Sequence, residues 1–320
     1  MLRKYQKIGF FLLIVALITL AVFWSKNSAS KDQIIIDNQN NNQNVNNNLT
    51  SDSQSFSFAV LGDTQRFEGD KNNELLKTMV NKVVQKNVSL SFSLGDLASS
   101  CEEASCVAKL NRWKDIMQPL YTHLYPVMGN HDRTGKDKSD KIWQDFFNLP
   151  QNGPVDYAEL TYSVDYQNSH FVVLNSEKPQ EHIISQAQLD WLDKDLQNNQ
   201  SKNVFIFMHE PAWPTSSKIG SSLDIKTKER DAFWGILKKY SSNIRAVFSG
   251  HEHIYARKKV EGINQIISGN LDSYDHNLPQ KGTVDFAYVG KHYLIIKVIN
   301  NQIVINVYDE KDNLVDSVSL

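Results

Sequence analysis

Cysteine is nearly absent from this chain: Cys101 and Cys106 are the only two in 320 residues. That excludes a disulfide framework, and without a second Cys/His pair at finger-like spacing the two make only a weak zinc site. One small-loop bridge between the two and a pair of free thiols both stay open. Net charge is also nearly absent, since Lys+Arg 34 against Asp+Glu 36 leaves -2. No nucleic-acid-binding surface is therefore evident, because no basic stripe is there to meet a phosphate backbone. After Ser55 no Pro/Gly-rich or charge-rich break is long enough to mark a domain boundary, so one domain is expected over residues 55–320. There is no G-x-S-x-G elbow for a serine nucleophile, and neither Glu210 nor Glu252 has H-E-x-x-H spacing.

The amino terminus is the most apolar stretch of the chain. Arg3, Lys4 and Lys7 precede an uncharged segment from Ile8 to Trp24, and such a basic flank stays in the cytoplasm while the rest crosses. At roughly 17 residues the segment is short for a spanning helix and long for a cleavable signal core. Residues 1–26 are read as a signal anchor or signal peptide, with Ser28-Ala29-Ser30 keeping cleavage open. The remainder is expected outside the cytoplasm, held at the membrane or secreted. Residues 27–54 include an Asn/Gln tract from Asp37 to Thr50 that cannot bury enough apolar surface to offset chain entropy. That stretch reads as a disordered linker.

Apolar periodicity sets out an α/β domain. Leu75, Leu76, Met79, Val80, Val83 and Val84 recur at helical spacing, as do Leu189, Trp191, Leu192 and Leu196. Further helices fit Val107 to Met117, Lys141 to Phe147 and Lys228 to Tyr240, and a hairpin is expected to turn at Gln167-Asn168. After His253 the runs Ile254 to Val260, Asn264 to Ser268, Tyr293 to Ile299 and Ile303 to Tyr308 are short and β-rich. The expectation is two packed, mainly β sheets flanked by helices, the last third supplying an antiparallel second sheet.

Five segments able to hold a metal each follow a run that reads as a strand. They are Asp63-Thr64-Gln65 after Phe56 to Leu61, Gly95-Asp96 after Leu90 to Leu94, and Gly129-Asn130-His131-Asp132 after Leu124 to Met128. His209 follows Val204 to Met208, and Gly250-His251-Glu252-His253 follows Ala246 to Ser249. Ligands bind outside the carboxyl ends of strands in open α/β sheets, so these side chains are placed to converge. A mixture of Asp, Asn and His points away from thiolate chemistry toward a pair of divalent ions. Two ions need a bridging carboxylate, and Asp96, in the middle of the series and preceded by a glycine, is the candidate. His276, beside Asp275, would line the substrate side only if its loop folds over the ions.

This ordered set resembles the calcineurin-like metallophosphoesterase superfamily, whose pattern is D-x-H, G-D, G-N-H-D/E, a strand-end H, and G-H-x-H. The resemblance spans Phe56 to about His253, and the β-rich tail to Leu320 resembles that of purple-acid-phosphatase-like members. It implies a four-layer α-β-β-α sandwich and two divalent ions, with Mn, Fe, Zn or Mg as candidates. Asp63, Gln65, Asp96 and His253 would surround one ion, and Asp96, Asn130, His209 and His251 the other. His131 would be the catalytic histidine and Asp132 would orient it. The implied reaction is hydrolysis of a phosphate ester by a metal-bound hydroxide. Gln65 stands where many members have histidine, an Asp-x-Gln variant that occurs in the superfamily. Ser99 stands where purple acid phosphatases carry a tyrosine ligand, so no Fe(III)-tyrosinate chromophore is expected. The alternative reading is a membrane-tethered binding or scaffold module that keeps the fold with a weakened metal site. Oligomeric state is not legible in the residues.

Overall fold

Residues with alternating or continuous apolar character form the strands, and where both faces of a strand meet other layers the run is apolar throughout. The computed structural model describes residues 55–66 and 70–320. The expected membrane segment and linker lie outside the described residues, among which no helix is long and apolar enough to cross a membrane. With elements numbered along the chain, β1 (Ser55–Leu61), β2 (Leu90–Ser93) and β3 (Leu124–Pro126) run parallel at one side of a six-stranded sheet. Its other side is the antiparallel meander β11 (His292–Ile299), β12 (Gln302–Asp309) and β13 (Leu314–Ser319), with β11 pairing to β1.

The second sheet has seven strands. Its middle is β5 (Ser169–Val173), β6 (Asn203–Phe207), β7 (Ile244–Ser249) and β9 (Ile263–Ser268), all parallel. β4 (Tyr162–Tyr166) closes one edge through the expected hairpin, with Asp165 opposite His170. β8 (Tyr255–Val260) and β10 (Phe286–Tyr288) close the other. The last third therefore does not form a sheet of its own: β8, β9 and β10 complete the second sheet, while β11, β12 and β13 complete the first. β1 would otherwise expose a long unpaired ladder, and pairing it with β11 satisfies those backbone groups.

The two sheets are both mixed and meet through phenylalanine rings. Phe92 of β2 stacks on Phe207 of β6 with centroids 4.0 Å apart, and Phe58 of β1 meets Phe205 of β6 edge-on at 5.0 Å. All four are fully buried, each side chain contributing about 1.5–3 kcal/mol of transfer free energy. Helices α1 (Asp70–Gln85), α2 (Glu103–Met117) and α3 (Asp137–Phe146) join the core of the first sheet through Leu76, Met79, Trp113 and Trp143. Helices α4 (Gln186–Asn198) and α5 (Thr227–Lys239) cover the second through Leu189, Leu192, Phe233 and Trp234. Ser185 caps α4 by accepting from the Gln188 amide. Cys101 and Cys106 are joined in a disulfide across the start of α2.

Candidate metal centre

The carboxyl ends of β1, β2, β3, β6 and β7 lie together, so the loops that leave them can interlock. The Thr64 amide donates to the Asp96 carbonyl at 3.0 Å, and the Gly250 amide donates to the His209 carbonyl at 2.9 Å. Thr64 Oγ1 donates to the Leu97 carbonyl and accepts from Trp113 Nε1 of α2, tying two of these loops to a helix. Asp63, Asp96 and His251 occupy the left-handed region, with φ of 46°, 51° and 66°. Non-glycine residues adopt that region only where surrounding contacts hold them there. Two glycines make the close approach possible. A Cβ on Gly95 would stand 2.7 Å from His209 Nδ1, and one on Gly129 would overlap the Asp96 amide and carboxylate.

The donors fall into two groups that share Asp96. On one side His253 Nε2 lies 3.5 Å from Asp63 Oδ1, and ligand atoms of Asp63, Asp96 and His253 all fall within 4.8 Å of one another. Gln65 reaches the same group, its Nε2 standing 3.3 Å from Asp96 Oδ2 and 3.2 Å from His253 Nε2. On the other side Asp96 Oδ1 lies 3.3 Å from His209 Nε2, while Asn130 Oδ1 lies 3.0 Å from both His209 Nε2 and His251 Nδ1. Asp96 thus offers Oδ2 to one group and Oδ1 to the other.

Hydrogen bonds on the far side of each ring decide which nitrogen keeps its proton. His209 Nδ1 is 2.7 Å from the Leu94 carbonyl, His251 Nε2 is 2.8 Å from that of Ser221, and His253 Nδ1 is 2.8 Å from that of Tyr274. A carbonyl only accepts, so those nitrogens donate and the opposite ones present lone pairs. His209 Nε2 and His251 Nδ1 then face each other at 3.2 Å, both against the Asn130 oxygen, three acceptors with no donor among them. Such a buried gathering is repulsive until a cation enters it, and imidazoles fixed through backbone carbonyls are typical of metal ligation. Gln65 Oε1 is buried without a partner, and a half-turn of the amide brings that oxygen to the same group. The residues fit divalent ions.

Electrostatics agree with this fit. Burial holds Asp63 well above the ordinary carboxylate range, and the neighbouring Asp96 charge pushes it further up. Burial also drives His251 well down and His253 down to about 4, leaving both imidazoles neutral, as ligands must be. Divalent cations reverse the penalty on the buried carboxylates.

His131 stands at the edge of this centre. Its Nδ1 is 2.7 Å from the Ser99 carbonyl, its Nε2 lies 3.9 Å from Asp96 Oδ2, and its side chain is 41% exposed. Asp132 does not touch that ring, contrary to the expected orienting role. Its buried carboxylate accepts from the amides of Leu97 at 3.0 Å, Ala98 at 3.3 Å and Gly129 at 2.9 Å. It clamps the loop after β2 to the loop after β3, and the Ser99 carbonyl orients His131 instead.

One participant escaped sequence reasoning. Glu252, between His251 and His253, accepts from the amides of Thr215, Ser216 and Lys218 and so fastens segment 214–222 beside the centre. His276 stacks on His253 with centroids 4.0 Å apart and accepts from the His253 amide at 3.0 Å. Its loop therefore folds against the ligands, the condition under which it was expected to line this side. Glu210 is buried and paired with His182 Nδ1 at 2.8 Å. His170 is bound by Asp165 and Asp195, and His292 by the Gly290 carbonyl and Ser268 Oγ, so both are structural. A cavity of about 410 Å³ is lined by Arg133, Lys136, Glu177, His182, Ile225 and Lys226, none of them a candidate ligand. An acid between two ligating histidines was the one available signal for Glu252.

Comparison with known proteins bears on the same region. The calcineurin-like phosphoesterase family profile matches residues 56–255, more than half of the chain. A probable cyclic nucleotide phosphodiesterase from Rhodococcus erythropolis is 27% identical over 156 residues, 47% of this chain and 48% of that protein. Tartrate-resistant acid phosphatase type 5 from Rattus norvegicus is 23% identical over 187 residues, 53% of this chain and 55% of that protein. The chain thus spans about half the length of the curated relatives it matches. Purple acid phosphatase PPD1 from yellow lupin superposes with a TM-score of 0.67 at 14% identity, over 84% of this chain and 54% of that one, a likeness of fold.

Proposed function

The chain belongs to the calcineurin-like phosphoesterase family, and from that premise we propose that it is a hydrolase of phosphate esters working with two divalent ions. The observation that carries the reading is the shared carboxylate of Asp96, whose Oδ1 lies 3.3 Å from His209 Nε2 and whose Oδ2 lies 3.3 Å from Gln65 Nε2, with Asp63 and His253 gathered on that second side. Asp63, Gln65, Asp96 and His253 would hold one ion, and Asp96, Asn130, His209 and His251 the other. Ions bound there supply an activated water and neutralise charge on the phosphoryl group. The two sheets and their helices would correspond to the four-layer sandwich of the family.

The chain's own residues then have separate tasks. His131 directs Nε2 toward the centre while its Nδ1 donates to the Ser99 carbonyl, so Nε2 can give a proton or hydrogen bond to the leaving-group oxygen when the ring carries a proton on both nitrogens. Its backbone amide donates to Asp96 Oδ1 at 2.9 Å, which fixes the main chain of His131 relative to the ligands. The phosphodiesterase and phosphatase among the relatives support a phosphate-ester substrate. An extracytoplasmic place at the membrane is supported by the basic-flanked apolar segment and by the Cys101–Cys106 disulfide. Protease shaving of intact cells tests it, and a fully protected domain sinks it.

Elemental analysis with an aryl phosphate assay tests the chemistry. About two ions per chain are expected in active protein, and His131→Ala should keep them while losing about 10²–10⁴-fold in turnover. Protein that binds no ion, or a fully active His131→Ala variant, rejects the proposal.

A further inference from the structure

Two loops beside the metal centre carry an unusual share of the exposed apolar surface. Among the described residues nine large hydrophobic side chains are exposed, and four of them, Ile219, Ile225, Tyr274 and Leu278, lie on segments 214–226 and 270–279. Exposed apolar groups gathered in one place mark interaction sites, whereas scattered ones need no explanation. Their position relative to the centre is set by backbone contacts. The Ser221 carbonyl holds His251, the Tyr274 carbonyl holds His253, and the Asn277 amide donates to Ser217 Oγ at 3.2 Å to join the two loops.

Tyr274 is the most developed feature of this rim. The residue is 65% exposed although its main chain is fastened to a candidate ligand. The Arg66 guanidinium lies 4.1 Å from the ring centroid and donates to the Ser273 carbonyl at 3.2 Å, which holds the ring in a fixed orientation. Ile219 at 64% and Leu278 at 60% exposure extend the apolar surface on the two joined loops. Between Ser217 and Ile219 stands Lys218, whose amide donates at 3.2 Å to Oε1 of Glu252, the residue between the candidate ligands His251 and His253 in the chain. A centre that would grip a phosphoryl group and an apolar rim beyond it match a substrate that is anionic at one end and apolar at the other.

We propose that Tyr274 is a specificity-determining residue, the stacking surface for an aromatic group attached to the substrate's phosphate, with Ile219 and Leu278 completing the subsite. This rests on the phosphoesterase reading above. A ring held on one side by Arg66 costs little further entropy to engage, which is how aromatic platforms favour planar ligands over flexible ones.

Calorimetric titration of the metal-loaded protein with phenylphosphonate and methylphosphonate tests the subsite without turnover. Wild type should prefer the phenyl compound, Tyr274→Ala should cut that preference by about three- to ten-fold, and Tyr274→Phe should retain it. Absence of a preference in wild type, no binding of either phosphonate, or an unchanged preference in Tyr274→Ala overturns the inference. So does a Tyr274→Ala variant that loses only binding to anionic phospholipid vesicles, since the rim would then face a membrane. Protein that binds phenylphosphonate through Tyr274 yet hydrolyses no ester rejects the phosphoesterase reading alone. Active protein indifferent to Tyr274 rejects the subsite alone.

Discussion

Asp132 is the sharpest place to test how the centre is held together. Replacing it with asparagine keeps the size of the side chain and removes its charge and one acceptor oxygen. In the native arrangement Oδ1 accepts from Leu97 and Ala98 while Oδ2 accepts from Leu97 and Gly129. Asparagine can serve only one of these sides, and its amide would point hydrogens at the N–H on the other. One hydrogen bond to a charged group is lost, worth about 1.5–3 kcal/mol, and a buried N–H is orphaned at a cost of about 1–3 kcal/mol. A loss of about 3 kcal/mol in this domain lowers the melting temperature by about 6–12 °C. Because the clamp joins the loops that carry Asp96 and Asn130, metal affinity should also fall by about 10–100-fold. Differential scanning fluorimetry and competition with a chelating dye read the two quantities. If Asp132→Asn melts with wild type and keeps its metal while only the pH profile of turnover moves, the clamp is wrong and Asp132 acts on His131.

Two further outcomes follow from contacts away from the ligands. Replacing Cys101 and Cys106 together by serine opens a bridge across a sequence separation of 5; loop entropy of that size is worth about 2 kcal/mol, or about 4–8 °C in melting temperature. Because the Cys101 amide donates to the His131 carbonyl, turnover should fall along with stability; a variant that melts like wild type refutes the contribution. At His170 burial pushes the imidazole down, but hydrogen bonds and charges from Asp195 and Asp165 outweigh it and raise the group. A raised histidine contributes stability that is complete below its unfolded value, about 6.5, and is lost as pH rises through the folded one. The melting gap between wild type and His170→Gln should therefore be wider at about pH 6 than at about pH 9, and an equal gap at both would refute the pairing.

Much of the fold was readable because its strands are buried on both faces and so appear as unbroken apolar runs. Residues 204–207 of β6 and the closing stretches 58–61 of β1 and 246–248 of β7 are of this kind, and they locate His209, Asp63 and His251. The short edge strand β10 and the solvent-facing β13 escaped notice, since neither buries a full face and neither has a clear alternation. The split of the last third between two sheets was also illegible. Each strand there has the pattern of any half-buried strand, and nothing local says which open ladder it will meet.

The amino-acid sequence alone determined the kinds of donors present and their place at strand ends, because apolar runs and the residues that stop them are local features. Tertiary structure decided the rest of the site. Whether a histidine presents Nδ1 or Nε2 depends on a carbonyl supplied by a distant residue, Leu94 for His209, Ser221 for His251 and Tyr274 for His253. Every residue carries a carbonyl, so no residue type announces that role. The same holds for Asp132 and Glu252, whose partners are backbone amides that only loop packing brings within reach.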